Sequence, residues 1–237
     1  MSQQLEPEQF EIENVQKVYN VIAKHFSNTR HCKWPGVVQY INGLDSGSTI
    51  LDIGCGNGKY MDTRTDCKFI GTDSSSELVK ICGDKGYEAV VSNALSLPFS
   101  SNSFDAFICI AMLHHLSTDE RRTAAIKEAS RVIKPGCTGL IYVWSFENGG
   151  QRKNGTTRVQ KSQDSLIEWN IPKKFLTNPN GARATAGSKP SDIRYHRYYH
   201  MFKEYELDRL VESIEGLEIV SHFYDRQNWA VVIKKIK

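Results

Sequence analysis

No stretch of this 237-residue chain is apolar for long enough to cross a membrane as a helix. Its first residues, Met1-Ser2-Gln3-Gln4-Leu5-Glu6, carry neither a basic region nor a hydrophobic stretch, so no secretory signal is expected. The six cysteines (32, 55, 67, 82, 109 and 137) include no C-x-x-C pair. That spacing argues against a zinc site or a disulfide framework and suits reduced thiols in the cytoplasm or nucleus. Charge of one sign is also scarce: 30 Lys and Arg stand against 27 Asp and Glu, a net charge of +3. Any case for a polyanionic partner must rest on how the charge is distributed. There is no internal repeat, and the length suits a single domain over 1–237 with room for an insertion.

What is present begins with helical periodicity. Ile12, Val15, Val18, Tyr19, Ile22, Ala23 and Phe26 recur at the spacing of an amphipathic helix. Asn28-Thr29-Arg30 breaks it and Trp34-Pro35 opens a second helix, giving a helical extension over 1–45. Strands are expected at 49–53, 68–72, 89–92, 104–110 and 139–144, with helices after Lys59, at 77–85 and at 118–133. The unbroken apolar run 104–110 reads as a central parallel strand covered on both faces. A last helix at 205–215 and two apolar runs, 217–224 and 229–236, end the chain as an antiparallel hairpin. The expected class is α/β, a Rossmann-like, mostly parallel sheet with a C-terminal antiparallel hairpin.

The richest segment is Thr49-Ile50-Leu51-Asp52-Ile53-Gly54-Cys55-Gly56-Asn57-Gly58-Lys59-Tyr60. An apolar strand runs into a turn with three alternate glycines, where main chain can approach a ligand that any Cβ would obstruct. Asp73 ends the next strand, placed to accept from both ribose hydroxyls of a nucleoside. A dinucleotide fingerprint would read G-x-G-x-x-G and hold a pyrophosphate at a helix amino end. Here the glycines alternate and no cation precedes Lys59, which suits a phosphate-free ligand whose amino acid portion crosses Gly54–Gly58. The segment resembles the class I S-adenosylmethionine-dependent methyltransferases. Asp52 is expected to organise the turn, Ser92-Asn93-Ala94-Leu95 to meet the adenine, and Ile110-Ala111-Met112 to line the methionine end. Asn93 stands where related enzymes usually carry Asp, and can still accept through its carbonyl oxygen.

Beyond the cofactor, His114-His115 follow the fourth strand at the mouth of the expected site, and Trp144 ends the fifth as a core aromatic or a platform for a base. Residues 149–192 read as a basic loop insertion, with Arg152, Lys153 and Arg158 among eight cations facing three carboxylates. Arg194-Tyr195-His196-Arg197-Tyr198-Tyr199-His200 interleaves cations with aromatics, as a single-stranded nucleic acid surface does. Its tyrosines would otherwise pack on the sheet. Arg30, Lys33 and Trp34 form a smaller group of the same kind.

Val18-Tyr19-Asn20, Ile22-Ala23, His25-Phe26-Ser27, Thr29-Arg30 and Trp34-Pro35 resemble the amino-terminal signature of the wobble-uridine tRNA methyltransferases, which methyl-esterify 5-carboxymethyluridine. His114-His115, Glu120-Arg121-Arg122, Ile141-Tyr142-Val143-Trp144 and Arg197-Tyr198-Tyr199-His200 fit the same family. The resemblance implies S-adenosyl-L-methionine as cofactor, held by Tyr19, Arg30, Asp52, Gly54, Gly56, Asn57, Gly58, Asp73, Ser74, Asn93, Ala94, Leu95 and Ala111. It implies no metal and a tRNA substrate positioned by His115, Arg30, Trp144, Arg194 and Arg197. Lys33, Trp34, Arg152, Lys153, Arg158, His196, Tyr198 and His200 would meet the RNA. A small zinc-binding methyltransferase activator protein would pair with the sheet edge at Tyr87-Glu88-Ala89-Val90-Val91. The acceptor carboxylate is already ionised at neutral pH, so no general base is required. Two other readings remain open: a small-molecule methyltransferase with His115 as base, and an RNA-binding scaffold without catalysis.

Overall fold

The computed structural model describes residues 5–147, 162–172, 184–186 and 192–237. Five parallel strands form its centre: β1 (Thr49–Ile53), β2 (Lys68–Asp73), β3 (Ala89–Val91), β4 (Phe104–Ile110) and β5 (Ile133–Trp144). The hairpin of β9 (Leu217–Asp225) and β10 (Asn228–Lys235) joins β5 antiparallel, giving the order β3-β2-β1-β4-β5-β10-β9. This is the expected Rossmann-like sheet with its terminal hairpin. The order reverses between β1 and β4, and ligands of open α/β sheets bind at the carboxyl ends of the strands at such a switch point.

The apolar run of β4 serves both faces of the sheet. Phe107 and Cys109 pack with Leu51, Ile53, Ile141 and Val231 under α5 (Asp119–Val132) and α6 (Glu206–Glu212). Ala106, Ile108 and Ile110 pack with Ile50, Leu140 and Tyr142 under α3 (Pro35–Asn42). Ahead of these, α1 (Pro7–Glu11), a π-helical turn (Ile12–Gln16) and α2 (Lys17–Ser27) run on as one helix. It packs on α4 (Ser76–Asp84), whose first turn Ser75 caps by accepting from the Leu78 amide. Thr118 caps α5 in the same way. Among the described residues no helix is long and apolar enough to cross a membrane.

Three expectations need correction. No helix follows Lys59: the chain from Gly54 to Thr63 runs in tight turns closed by amide bonds three residues back, as from Met61 to Gly58 and Thr63 to Tyr60. Left-handed backbone at Gly54, Gly56 and Gly58 keeps that segment from winding up. β5 starts at Ile133, six residues before the expected Gly139, because the chain turns straight from α5 into the ladder beside Phe104. The expected basic loop contains a strand, β6 (Asp164–Pro172), in which Ile167, Trp169 and Ile171 alternate. With β7 (Ala184–Ala186) and β8 (Asp192–His200) it forms a second antiparallel sheet, β6-β8-β7. Arg152, Lys153 and Arg158 lie outside the described residues.

Candidate active site

A cavity of about 680 Å³ opens at the carboxyl ends of β1 and β4, where the sheet order reverses. The turn after β1 forms its floor. The Gly54 and Cys55 amides both donate to the Thr72 carbonyl, at 2.7 and 2.9 Å, which ties the turn to β2. A Cβ on Gly54 would lie 2.5 Å from the Met112 side chain, and one on Gly58 2.6 Å from the Tyr87 ring. A Cβ on Gly56 would meet only Phe26, at 3.5 Å. Gly54 and Gly56 line the cavity, whereas Gly58 faces the packing under α4 and not the ligand space. The expectation of main chain bared from 54 through 58 thus narrows to the turn before Gly58.

Asp73 holds the turn from the other side. Its Oδ2 accepts from the Gly56 amide and its Oδ1 from the Ser75 amide, both at 2.9 Å. Each oxygen keeps a lone pair for a ribose hydroxyl, and burial is the largest influence on the carboxyl, raising its pKa. The organising role expected of Asp52 therefore falls to Asp73. Asp52 is 1% exposed, its Oδ2 has no hydrogen-bond partner among the described residues, and burial pushes its pKa up to about 7. A buried carboxylate oxygen without a donor, facing a cavity floored by a Cβ-free turn, fits a ligand that carries its own ammonium. Asn57 lines the cavity and donates to carbonyls of Ser27 and Arg30, fastening the end of α2.

On the adenine side, Ser74, Ser92, Asn93 and Ala94 line the cavity and Leu95 does not. The Asn93 Oδ1 accepts from the Leu95 amide at 3.0 Å, so its free groups are the second lone pair and the amide nitrogen. Ala111 takes a left-handed φ of +59° to turn the chain across the cavity, and its amide is held by the Tyr142 carbonyl.

The opposite wall is aromatic. Trp144, Tyr199 and His114 form a stack, with centroids 4.6 and 4.8 Å apart at 28° and 27°. His115 is locked beside it. Its Nδ1 lies 2.8 Å from the Tyr198 carbonyl, which can only accept, so Nδ1 carries the proton and Nε2 is bare. The Tyr19 hydroxyl, 3.0 Å from Nε2, must therefore donate to it. Its oxygen in turn receives Nη1 of Arg197 at 3.1 Å and the Tyr199 hydroxyl at 3.3 Å. Burial pushes the His115 pKa down to about 3, so both nitrogens are committed and the ring is neutral at physiological pH. It can form a wall but cannot take a proton.

Arg30 reaches the cavity over the Phe26 and Trp169 rings, at 5.1 and 5.3 Å, and forms no ion pair among the described residues. Trp34 lines the cavity and stacks on Tyr142, as part of the wall rather than of an outer RNA face.

The basic-aromatic string is largely turned inward. Arg197 is 2% exposed, lies over the Trp169 ring at 4.4 Å and is absent from the cavity lining. Tyr198 donates to Asp164, and His200 sits between Asp164 and Glu206, at 2.8 and 2.6 Å. Both are buried, which removes them from an RNA surface. Arg194 pairs with Glu168 at 3.1 Å outside the cavity, and Lys33 with Asp62 and Thr63. His196 is half-buried on β8. β8 is the middle strand of its sheet, so the alternation that resembles a stacking surface fills the space against α2 and the main sheet. Among the cavity residues given no site role in the sequence are Tyr199, hidden within that string, and Lys59, the first cation after the glycine motif.

Known proteins bear on this geometry. A family described as "Methyltransferase domain" matches residues 51–141. The tRNA (carboxymethyluridine(34)-5-O)-methyltransferase of Schizosaccharomyces pombe is 39% identical over 96% of this chain and 98% of its own length. The Xenopus tropicalis tRNA (carboxymethyluridine(34)-5-O)-methyltransferase alkbh8 is 36% identical over 95% of this chain, which spans only 41% of that relative. Among solved structures, a Haloferax volcanii methyltransferase in complex with the Trm112 methyltransferase activator superposes with a TM-score of 0.63. The match covers 94% of this chain and 99% of that one at 13% identity, a likeness of fold.

Proposed function

Starting from the fact that this chain belongs to the tRNA (carboxymethyluridine(34)-5-O)-methyltransferase family, we propose that it methyl-esterifies the carboxylate of 5-carboxymethyluridine at the wobble position of tRNA. Its cofactor is S-adenosyl-L-methionine, and the residues around the cavity fit that group. Asp73 has lone pairs for the ribose, Gly56 leaves room for the chain that follows it, and Asp52 offers an unanswered oxygen. When bound, the cofactor supplies a methyl group on a sulfonium, an electrophile that needs only a nucleophile in line.

The observation that carries the reading is the closed hydrogen-bond chain through His115. Among the described residues, the wall that faces the acceptor has no free base, yet Arg30 stands beside it without an ion pair. Such a site is built for an acceptor that arrives already ionised. Trp144, backed by the buried Tyr199, offers a flat face for the base, and Arg30 draws its carboxylate into the cavity. The protein then contributes orientation and exclusion of water, the main sources of acceleration for a reaction without proton transfer. A phenol or quinone methyltransferase relying on His115 finds no support in a ring with both nitrogens occupied.

The partner reading is part of the proposal. β3 is an edge strand whose Val90 and Val91 are 39% and 50% exposed, the kind of edge that strand addition by an activator protein would cover. The fold neighbour solved with such an activator supports it.

The test is purified protein with activator, labelled methyl donor, and tRNA that bears or lacks the carboxymethyl group. Label should enter only the carboxylate-bearing tRNA and leave on mild alkaline hydrolysis. Alkali-stable label, or equal labelling of both tRNAs, would overturn the assignment.

A further inference from the structure

Two of the six cysteines meet beneath the glycine turn. Cys55 stands in the turn itself and lines the cavity, whereas Cys82 lies on α4, fully buried and outside the cavity lining. Their sulfurs are 4.0 Å apart. Both also reach one acceptor, the Gly56 carbonyl, from 3.3 Å for Cys82 and 4.0 Å for Cys55. β2 makes room for them with Gly71, where a Cβ would lie 2.8 Å from the Cys55 Sγ.

Neither thiol serves the transfer described above. Their placement allows a bond: a disulfide needs the sulfurs about 2 Å apart, within reach of a modest shift of the turn toward α4. Access is one-sided. A small oxidant can approach Cys55 through the cavity, and Cys82 is met only behind it. A cofactor seated on the turn covers that approach. The contact with Cys82, and then burial, raise the Cys55 pKa, so the thiolate fraction is small and brief exposure to an oxidant passes without effect.

We infer that Cys55 and Cys82 form a thiol switch that shuts the cofactor site under sustained exposure to hydrogen peroxide while that site is empty. The Cys55 Sγ, as thiolate, attacks one peroxide oxygen. An S–O bond forms, the O–O bond breaks, and the other oxygen leaves as water with the thiol's proton, giving a sulfenic acid. The Cys82 Sγ then attacks the Cys55 Sγ. An S–S bond forms, the S–O bond breaks, and the second oxygen leaves as water with the proton that Cys82 gives up. Two thiols lose two electrons and one peroxide becomes two waters. The bond ties the turn to α4 and strips both S–H donors from the Gly56 carbonyl, in the residue whose amide Asp73 holds. The floor of the cavity and the carboxylate with lone pairs for the ribose are thus disturbed together. Exchange with an added thiol undoes the bond.

The test treats the full chain with hydrogen peroxide, with and without saturating S-adenosylhomocysteine, and combines non-reducing peptide mapping with calorimetry. In the empty protein a linked Cys55–Cys82 peptide should accumulate, S-adenosylhomocysteine affinity should fall tenfold or more, and dithiothreitol should restore it. Protein saturated during treatment should keep both thiols free. Cys55→Ser should bind S-adenosylhomocysteine equally before and after peroxide, and Cys82→Ser should carry a sulfenic acid at Cys55 that dimedone traps. A pair that stays reduced under peroxide that oxidises the exposed Cys32 overturns the inference. So does a linked protein that binds as tightly as the reduced one, or a saturated protein that links as fast as the empty one. An equal loss in treated Cys55→Ser also overturns it, since the damage then lies elsewhere. None of these measurements uses methyl transfer, so they stand apart from the choice of tRNA.

Discussion

At the scale of single residues, the turn after β1 separates glycines by duty. Gly58→Ala would combine a left-handed φ of +73° with a Cβ 2.6 Å from the Tyr87 ring, and should cost roughly 3 kcal/mol of stability. Gly56→Ala has room for its Cβ and should cost only about 1–2 kcal/mol for its φ of +58°, while S-adenosylhomocysteine affinity falls more than tenfold. Denaturant unfolding and calorimetry on the pair would show the crossed pattern, and the reverse pattern would contradict the floor described for the cavity. His115 yields a pH prediction. Its pKa lies near 3, so the transfer rate at saturating substrates should show no limb between pH 6 and 8 attributable to this ring. Folding responds differently. Below the ordinary histidine value of 6.5 the unfolded chain takes a proton that folded His115 refuses, so stability is lost as pH falls toward 3. Asp52, raised to about 7, acts in the opposite sense, because its folded carboxyl is protonated before the unfolded one. His115→Gln, compared between pH 8 and pH 5, should lose about 2 kcal/mol less than the parent in equilibrium denaturation. The glycine turn and Asp73 were legible because their chemistry is local: a motif and its spacing. The fates of Arg197, Tyr198 and His200 were not, because alternation along a strand has the same pattern whether its faces meet RNA or protein.

Among the elements, the amino-terminal helix is fastened over the cavity by one buried carboxylate. Glu11 accepts from the Ser117 amide and hydroxyl, at 2.7 and 2.8 Å, and from Arg121 Nε at 2.9 Å, joining the end of α1 to the start of α5. Glu11→Gln keeps the shape but gives up the charge that these donors answer, and should lose about 1–3 kcal/mol. Hydrogen exchange should quicken over residues 7–18 and stay unchanged in β4 and β5. Uniform quickening would mean that Glu11 supports the whole fold rather than this latch. Most elements were visible as periodicity, from the 3.6-residue recurrence of α2 to the alternation in the hairpin. The helix expected after Lys59 failed because three left-handed glycines outweigh the propensity of the residues between them. β6 was overlooked because its alternation spans only Ile167, Trp169 and Ile171 within a polar, basic stretch.

For the whole molecule, the two edges of the main sheet differ. β9 is a long edge of nine residues, while β3 offers three, with Val90 and Val91 turned to solvent. Val91→Lys should weaken the proposed complex with an activator protein in size-exclusion chromatography. An unaffected complex would move the partner to another face. The aromatic wall of the cavity is assembled from distant parts of the chain. Tyr19 comes from the first helix, His115 from the loop after β4, and Tyr198 and Tyr199 from the small sheet. The histidine's tautomer is dictated by a main-chain oxygen 83 positions downstream, and its remaining lone pair by a phenol 96 positions upstream. This wall is thus not a cassette. Transplanting the small sheet into another methyltransferase would carry the tyrosines along and leave the imidazole behind with its proton unassigned, able once more to pick up charge near neutrality.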